Sequence, residues 1–153
     1  MNELEALTRQ PLFAWISSQP MEWLSKECPC LDLKENEILY EEGSTSEALH
    51  LVISGALRIE AQGHPPIRIG KDSILGECSL IEVRRRAAKA SASEPSRVMI
   101  IHHSTLLRFA RQFPDPYSII ITNLARQLAR RLRELNDQKA RASSPTTLPP
   151  LSS

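Results

Sequence analysis

The sequence predicts a mainly β protein, an eight-stranded antiparallel double-sheet β-roll with N-terminal helices and a long C-terminal helix. Two observations predict this fold class. From Leu31 onward, short β-like runs alternate with turn residues at a spacing typical of sandwiches and rolls. After Pro116, apolar side chains recur instead at helical spacing, over about 20 residues. With 153 residues and 41% apolar content, the chain is long enough for one sizeable core and short for two.

We therefore expect one domain over residues 1–142, with the β-roll at about 31–105 and the C-terminal helix at about 116–141. Residues 143–153 are dominated by Ser, Thr and Pro and show no apolar periodicity, so we expect a disordered tail there. No segment repeats with a period of about 20 to 50 residues, which argues against a solenoid or a propeller.

Residues 3–27 are predicted to form two short helices, because apolar side chains recur at roughly helical spacing and Pro11 and Pro20 interrupt them. The β-like runs are 38–40, 49–54, 56–61, 67–69, 87–92 and 98–102. All five glycines fall at junctions between runs, as expected of turn residues that reach positive φ without steric cost.

The long helix carries one continuous apolar stripe, with residues spaced 4, 3, 4 and 3 apart: Ile121, Ala125, Leu128, Leu132 and Leu135. This stripe is narrower than the face that a helix usually packs against its own domain. The spacing leaves three alternatives for what packs against the stripe: a second copy of the chain in a homodimer, an acidic protein partner, or the β-roll of the same chain.

Charge is divided unevenly along the chain. Residues 1–83 hold 14 acidic and 6 basic side chains, a net −8, whereas residues 84–141 hold 4 and 13, a net +9. Two explanations fit: the halves face each other within one fold, or the basic half meets an anion such as nucleic acid. On the second explanation, contact would come from four arginines of the long helix: Arg126, Arg130, Arg131 and Arg133.

Several classes of protein are disfavoured. Three irregularly spaced cysteines, with no leader sequence, fit a reducing cytoplasm better than a secreted protein. Cys28 and Cys30 lack further zinc ligands nearby, and no apolar run approaches the ~20 residues that span a bilayer. The four histidines are scattered without a nucleophile motif, so we expect no enzyme, no cofactor and no metal.

The most informative segment is Gly-Glu-Cys-Ser-Leu at 76–80, followed after five residues by Arg-Ala-Ala at 86–88. This pattern resembles the phosphate-binding cassette of the cyclic-nucleotide-binding domain family, which includes catabolite activators and protein kinase A regulatory subunits. Residues 38–43 and 49–55 resemble the early strands of the same family. The likeness extends from about residue 10 to residue 137.

The resemblance implies a cage for a cyclic phosphate. Backbone N–H groups of a short helix at 78–81 would face the anion, and Arg86 would give two charge-assisted hydrogen bonds to it. Glu77 would accept a hydrogen bond from the ribose 2′-hydroxyl, and small Ala87 and Ala88 would allow close approach. The expected ligand-binding residues are Gly76, Glu77, Cys78, Ser79, Arg86, Ala87, Ala88 and Asn136. Without the surrounding pattern, residues 84–86 would be a solvated basic run and Glu77 a surface carboxylate.

Cyclic AMP is the expected ligand and cyclic GMP the less favoured one. In the family, a Thr directly after the cassette arginine accompanies cyclic GMP binding, and Ala87 occupies that position here. Asn136 lies where catabolite-activator relatives contact adenine, although a solvent-facing role fits it equally. The sequence departs from the family pattern at four positions, none of which removes a charge from the cage: Asn36, Leu75, Ser79 and Arg85.

The function predicted is a non-catalytic cytoplasmic receptor that signals through helix rearrangement to a second copy or to another protein. About a dozen residues follow the long helix, so we expect no helix-turn-helix, no DNA recognition of that kind and no membrane contact. The alternative functions are a ligand-free scaffold of the same fold and a nucleic-acid contact through the basic helix.

Overall fold

The computed structural model describes residues 2–142 of the chain. The helices are α1 Glu3–Thr8, α2 Ser18–Glu27, α3 His103–Gln112 and α4 Pro114–Ala142. The strands are β1 Cys30–Leu33, β2 Ile38–Tyr40, β3 Ala48–Ser54, β4 Ala56–Glu60, β5 Ile67–Gly70, β6 Ile74–Leu75, β7 Lys89–Ala92 and β8 Ser96–His102. Two 3-10 helices, Pro11–Phe13 and Glu77–Leu80, complete the element list.

The strands form two four-stranded sheets, ordered β1-β8-β3-β6 and β2-β7-β4-β5, in which every pair is antiparallel. Consecutive strands β3 and β4 belong to different sheets, and the chain crosses between them at Gly55. A Cβ at Gly55, whose φ is +82°, would lie 2.3 Å from Ser96 Oγ, so only glycine fits this crossing. The predicted double-sheet β-roll with a long C-terminal helix is confirmed.

The structure contains two strands that the runs of apolar residues did not indicate. The outer strand β1 is largely exposed except at Leu33, and β6 is only two residues long, so neither has a clear alternating pattern. Ala87 and Ala88 precede β7, which begins at Lys89. Pro20 does not interrupt a helix as predicted, because it lies in the first turn of α2, where proline is tolerated.

Two apolar clusters hold the fold together. The larger one packs the four helices against the β3–β8 sheet, and it includes Leu49, Leu51, Met99 and Ile101 from those two strands. The smaller one joins the two sheets through Leu33, Val52, Leu57, Ala92 and Val98. Because side chains alternate along a strand, β3 directs residues 49, 51 and 53 toward the helices and residues 50 and 52 toward the other sheet.

Helix α4 is anchored at its N-terminal half and exposed beyond it. The buried Asn123 donates hydrogen bonds to the carbonyl oxygens of Leu12, at 3.0 Å, and Ala14, at 2.9 Å. Every residue from 129 to 142 is exposed, including Leu132 at 61% and Leu135 at 59%. Within residues 2–142, no helix combines the length and the apolar character that crossing a membrane requires.

The stripe on α4 does not coincide with the face that packs on the domain. That face buries Ile120, Asn123 and Leu124, none of which belongs to the stripe. Within the stripe, Leu128 packs partly against the larger cluster, whereas Leu132 and Leu135 lie in solvent. Packing on the same chain therefore accounts for only part of the stripe.

Candidate functional site

The backbone of residues 84–86 is held by a ladder of hydrogen bonds to the loop before β3. Ser46 N donates to Arg84 O at 2.7 Å, Arg86 N donates to Ser44 O at 2.7 Å, and Gly43 N donates to Arg86 O at 2.8 Å. These bonds fix the main chain on both sides of Arg86 and direct its side chain inward. The predicted solvated basic run thus applies to Arg84 and Arg85, which are exposed, and not to Arg86, which is buried.

A pocket of about 400 Å³ opens between this segment and the 3-10 helix Glu77–Leu80. Its size suits a ligand of small-molecule dimensions. The lining residues are Tyr40, Ser46, Leu75, Gly76, Cys78, Ser79, Glu82, Arg84, Arg85, Arg86, Ala87 and Ala88. Three arginines and one glutamate line it, so the charge of the lining favours an anionic ligand.

Arg86 lines this pocket and is buried, with only 8% of its surface exposed. Its Nη2 donates to Ala48 O at 2.7 Å and lies 3.4 Å from His50 Nδ1. Its Cζ lies 4.1 Å from the centre of the Tyr40 ring, a cation–π distance. Burial lowers the pKa of Arg86, but a guanidinium titrates so far above neutrality that it stays charged.

Two nitrogens of the Arg86 guanidinium, Nη1 and Nε, make no hydrogen bond to a described residue. The buried Nε has no hydrogen-bond partner among the described residues. A buried charged group with an unused donor is costly unless a partner arrives. The pocket is therefore lined by a charged guanidinium whose hydrogen-bonding capacity the protein does not fully use, which suits an anionic ligand.

Gly76 permits the close packing of the cassette on Arg86. It adopts φ +84°, and a Cβ there would lie 2.7 Å from Arg86 Nη1 and 3.2 Å from Ala48 O. Any side chain at this position would both strain the backbone and displace the guanidinium. The close packing of Arg86 against Gly76 therefore explains why the cassette begins with glycine.

The segment Glu77–Leu80 is a 3-10 helix of four residues, one residue earlier than the predicted helix at 78–81. Within it, Ser79 donates both its backbone N–H, at 2.9 Å, and its Oγ–H, at 2.7 Å, to Gly76 O. Both donors of Ser79 are therefore used within the cassette. Cys78 is exposed and lines the pocket.

Glu77 is buried, and it forms an ion pair that the sequence did not indicate. Arg131 Nη2 lies 3.1 Å from Glu77 Oε1 and 3.2 Å from Oε2, which joins the cassette to α4 across 54 residues of sequence. The side chain of Glu77 is 10% exposed and that of Arg131 is 53% exposed. The sequence contains one signal for this pair. Arg131 lies three residues after Leu128, which places it on the same face of the helix.

The structure thus brings together six of the eight predicted ligand-binding residues. They line one pocket and are Gly76, Cys78, Ser79, Arg86, Ala87 and Ala88. Glu77 lies within the adjoining 3-10 helix without lining the pocket, and Asn136 lies on the exposed part of α4. Tyr40 and His50, which the sequence analysis did not single out, both contact Arg86.

His50 is neutral at physiological pH. Burial lowers its pKa to about 4, and the nearby charges of Arg86 and His102 act in the same direction. Because a guanidinium can only donate, the 3.4 Å contact requires His50 Nδ1 to be the acceptor, with the ring proton on Nε2.

A second groove, of about 440 Å³, lies on α4 and contains none of the predicted site residues. Its lining residues are Trp15, Ser118, Ile119, Thr122, Asn123 and Arg126. A single charged side chain lines this groove, whereas four charged side chains line the pocket around Arg86. The pocket around Arg86 is therefore the better candidate site for an anion.

A family model described as cyclic nucleotide-binding domain matches residues 30–113, more than half of the chain. The matched segment contains all eight strands and the whole cassette. It also contains both sides of the backbone ladder around Arg86.

Three relatives are similar to this chain in sequence. The cyclic AMP receptor protein of Thermus thermophilus is 32% identical over 63% of this chain and 45% of its own length. The Pycsar effector protein BcPycTIR of Burkholderia cepacia is 28% identical over 87% and 43%. A CRP-like cAMP-activated global transcriptional regulator of Mycobacterium tuberculosis is 25% identical over 89% and 61%. The chain therefore spans about half the length of these relatives.

Solved structures show the same fold. The catabolite activator protein of Thermus thermophilus superposes with a TM-score of 0.73 at 26% identity, over 88% of this chain and 63% of that one. The N-terminal domain of a transcriptional regulator from Streptomyces coelicolor superposes with a TM-score of 0.72 at 25% identity, over 88% and 95%.

We predict that His50 makes the fold less stable in acid. Unfolded His50 binds a proton near its ordinary pKa of 6.5, whereas the folded residue does so near 4, so the unfolded state holds more protons between these values. The free energy of unfolding should fall as pH drops through this window, by on the order of 3 kcal/mol. Urea denaturation at successive pH values measures it.

The control variants are His50→Gln, which cannot titrate, and His64→Gln at an exposed turn. His50→Gln should lose this part of the pH dependence and His64→Gln should keep it. The prediction would be contradicted if the free energy of unfolding depended on pH equally steeply in wild type and in His50→Gln.

Proposed function

Because this chain belongs to the cyclic nucleotide-binding domain family, we propose that it is a non-catalytic receptor whose ligand is cyclic AMP. The observation that carries the proposal is the buried, charged guanidinium of Arg86, whose Nη1 and Nε have no acceptor among the described residues and which lines a pocket of suitable size. A cyclic phosphodiester is a compact monoanion that can accept hydrogen bonds from such a group without any metal.

The cassette residues would act together on the phosphate. Arg86 would supply the charge-assisted hydrogen bonds, and Gly76 would keep the backbone close to it. Ala87 and Ala88 would leave room for the ring beside them, and Cys78 would form part of the wall. The hydrogen bonds of Ser79 to Gly76 O support a structural role for Ser79, which stiffens the turn, beside the role in ligand contact expected of it.

Glu77 would accept a hydrogen bond from the ribose 2′-hydroxyl while keeping its ion pair with Arg131. An ionised carboxylate offers about four lone-pair positions, so one arginine does not exhaust it. Ligand binding at Glu77 would then change a contact that also holds α4. We propose that this contact passes the binding event to the exposed half of the helix, as a rearrangement sensed by a second copy or another protein.

The preference for cyclic AMP rests on two supports. Ala87 has no hydroxyl to meet the guanine amino group, and relatives are named for cyclic AMP. Contact between Asn136 and adenine remains a prediction. Since Asn136 lies on the exposed part of α4, that contact would require the helix to move toward the pocket.

Replacing Arg86 should remove ligand binding while the domain stays folded. Losing charge-assisted hydrogen bonds worth about 1.5 to 3 kcal/mol each predicts at least a tenfold weaker affinity for cyclic AMP in Arg86→Ala. Arg86→Lys should also bind weakly, because an ammonium cannot reproduce the two parallel donors. Calorimetric titration measures both variants.

The matched control is Arg68→Ala on β5, where an exposed arginine pairs with Glu94. Its affinity should equal that of wild type. If a folded Arg86 variant bound cyclic AMP with wild-type affinity, Arg86 would not be a ligand-binding residue.

Ala87→Thr should reduce the selectivity for cyclic AMP over cyclic GMP. The added hydroxyl would accept a hydrogen bond from the guanine amino group, which contributes about 0.5 to 1.5 kcal/mol. The ratio of the affinity for cyclic AMP to that for cyclic GMP should therefore fall severalfold. Competition of both nucleotides against a fluorescent analogue measures the ratio. If the wild-type protein bound cyclic GMP more tightly than cyclic AMP, the assignment of cyclic AMP as the ligand would be wrong.

We also propose that the chain forms a homodimer through the α4 stripe. Leu132 and Leu135 are apolar and exposed at a spacing suited to helix pairing, and Leu128 continues the same line. Leu132→Glu should give monomers, because it places a charge in the seam without touching the core. Sedimentation velocity, with and without cyclic AMP, measures the state.

Arg133→Glu serves as the control, since it alters charge on another face of the same helix. It should leave the dimer intact. If wild type is monomeric under both conditions, the stripe serves an acidic partner or no partner at all.

A further inference from the structure

We propose that His50 and Tyr40 are positioning residues that hold Arg86 in its ligand-binding orientation. The inference rests on the proposed function, in which Arg86 binds the cyclic phosphate. His50 fixes one end of the guanidinium through a hydrogen bond, and Tyr40 supports its flat face.

His50 lies on an inner strand of its sheet. Its strand β3 lies between β8 and β6, with His50 paired opposite Ile100 on one side and Leu75 on the other. Its backbone position cannot shift without disturbing three strands. Ala48, two residues earlier on the same face of β3, supplies the carbonyl oxygen that accepts from the same Nη2.

Both contacts on Nη2 therefore come from one strand, and they constrain different directions. The Ala48 carbonyl accepts at 2.7 Å and the His50 ring nitrogen lies at 3.4 Å. A single acceptor would let the guanidinium pivot, whereas two acceptors on a strand fix its plane. Since the guanidinium is only a donor, His50 must be neutral for this role.

Tyr40 restrains the guanidinium from the other sheet. Its ring lies 4.1 Å from Arg86 Cζ, and the ring centres of Tyr40 and His50 are 5.5 Å apart. Gly76 lies against Nη1. These contacts hold the guanidinium by Nη2 and by its flat face, and they leave Nη1 and Nε without an acceptor among the described residues.

Charged and titratable groups approach His50 from three parts of the chain. They are Arg86 before β7, Tyr40 on β2 and His102 on β8. Among the described residues, none of these is an acid that could pair with a protonated His50. The arrangement thus suits the neutral imidazole, which is the form that can accept from Arg86.

Four variants test the proposal by calorimetric titration with cyclic AMP. His50→Leu, which keeps volume and loses the acceptor, should weaken affinity about tenfold, as expected for a hydrogen bond to a charged group. His50→Gln, which restores an acceptor, should recover most of the loss. Tyr40→Leu should weaken affinity severalfold, and Tyr40→Phe, which keeps the ring and loses the hydroxyl beside Arg86, should recover most of the loss.

His64→Leu, at an exposed turn away from the pocket, is the control and should bind as wild type does. Wild-type affinity in a folded His50→Leu would overturn the role of His50. An equal loss in His50→Leu and His50→Gln would do the same, because it would show a demand for imidazole shape and not for an acceptor.

A second readout does not depend on the ligand. Nitrogen-15 spectra of the histidine rings at neutral pH should show His50 with Nδ1 unprotonated, and that resonance should shift in Arg86→Gln. A protonated Nδ1, or a resonance unmoved in Arg86→Gln, would overturn the inference even where His50→Leu fails to fold. If wild type binds neither cyclic AMP nor cyclic GMP, the proposed function fails, while the spectra still decide the positioning role.

Discussion

The burial of one guanidinium is the constraint on which the rest of the site depends. Arg86 is charged and 8% exposed, and a buried charge is tolerated only when its surroundings offer acceptors or a π face. The Ala48 carbonyl and the Tyr40 ring provide these, and the absence of a side chain at Gly76 makes the space. The cassette, the strand β3 and the strand β2 are therefore positioned by a shared contact with one side chain.

A second charge contact joins this site to the long helix. The pair between Glu77 and Arg131 is part of a wider pattern, in which basic residues of the second half of the chain meet acidic residues of the first. Other examples are Arg97 with Glu3 and Asp32, Arg108 with Glu27, and Lys89 with Glu60. Ion pairs between the acidic first half and the basic second half of the chain thus account for part of the uneven charge distribution along the sequence. Most of these pairs are exposed and add little stability.

Much of the fold was accessible from the sequence because the controlling interactions are local. The runs of apolar residues located six strands, and the spacing from Gly76 to Arg86 identified the cassette. Local rules failed where burial or length gave no periodic pattern, as in the largely exposed β1 and the two-residue β6. Pro20 was misjudged because a proline that ends one helix and a proline that opens another look alike in sequence.

By itself, the sequence determined the fold class and which residues form the cassette, since these depend on spacing and on backbone geometry. Gly76 at φ +84° and Asn36 at φ +69° illustrate this, as residues suited to left-handed turns. Only the tertiary structure decided which partners surround the charges. His50 reaches Arg86 across 36 residues, and Arg131 reaches Glu77 across 54, through the packing of one sheet and one helix. Such contacts follow from how elements meet in space, which no local periodicity records.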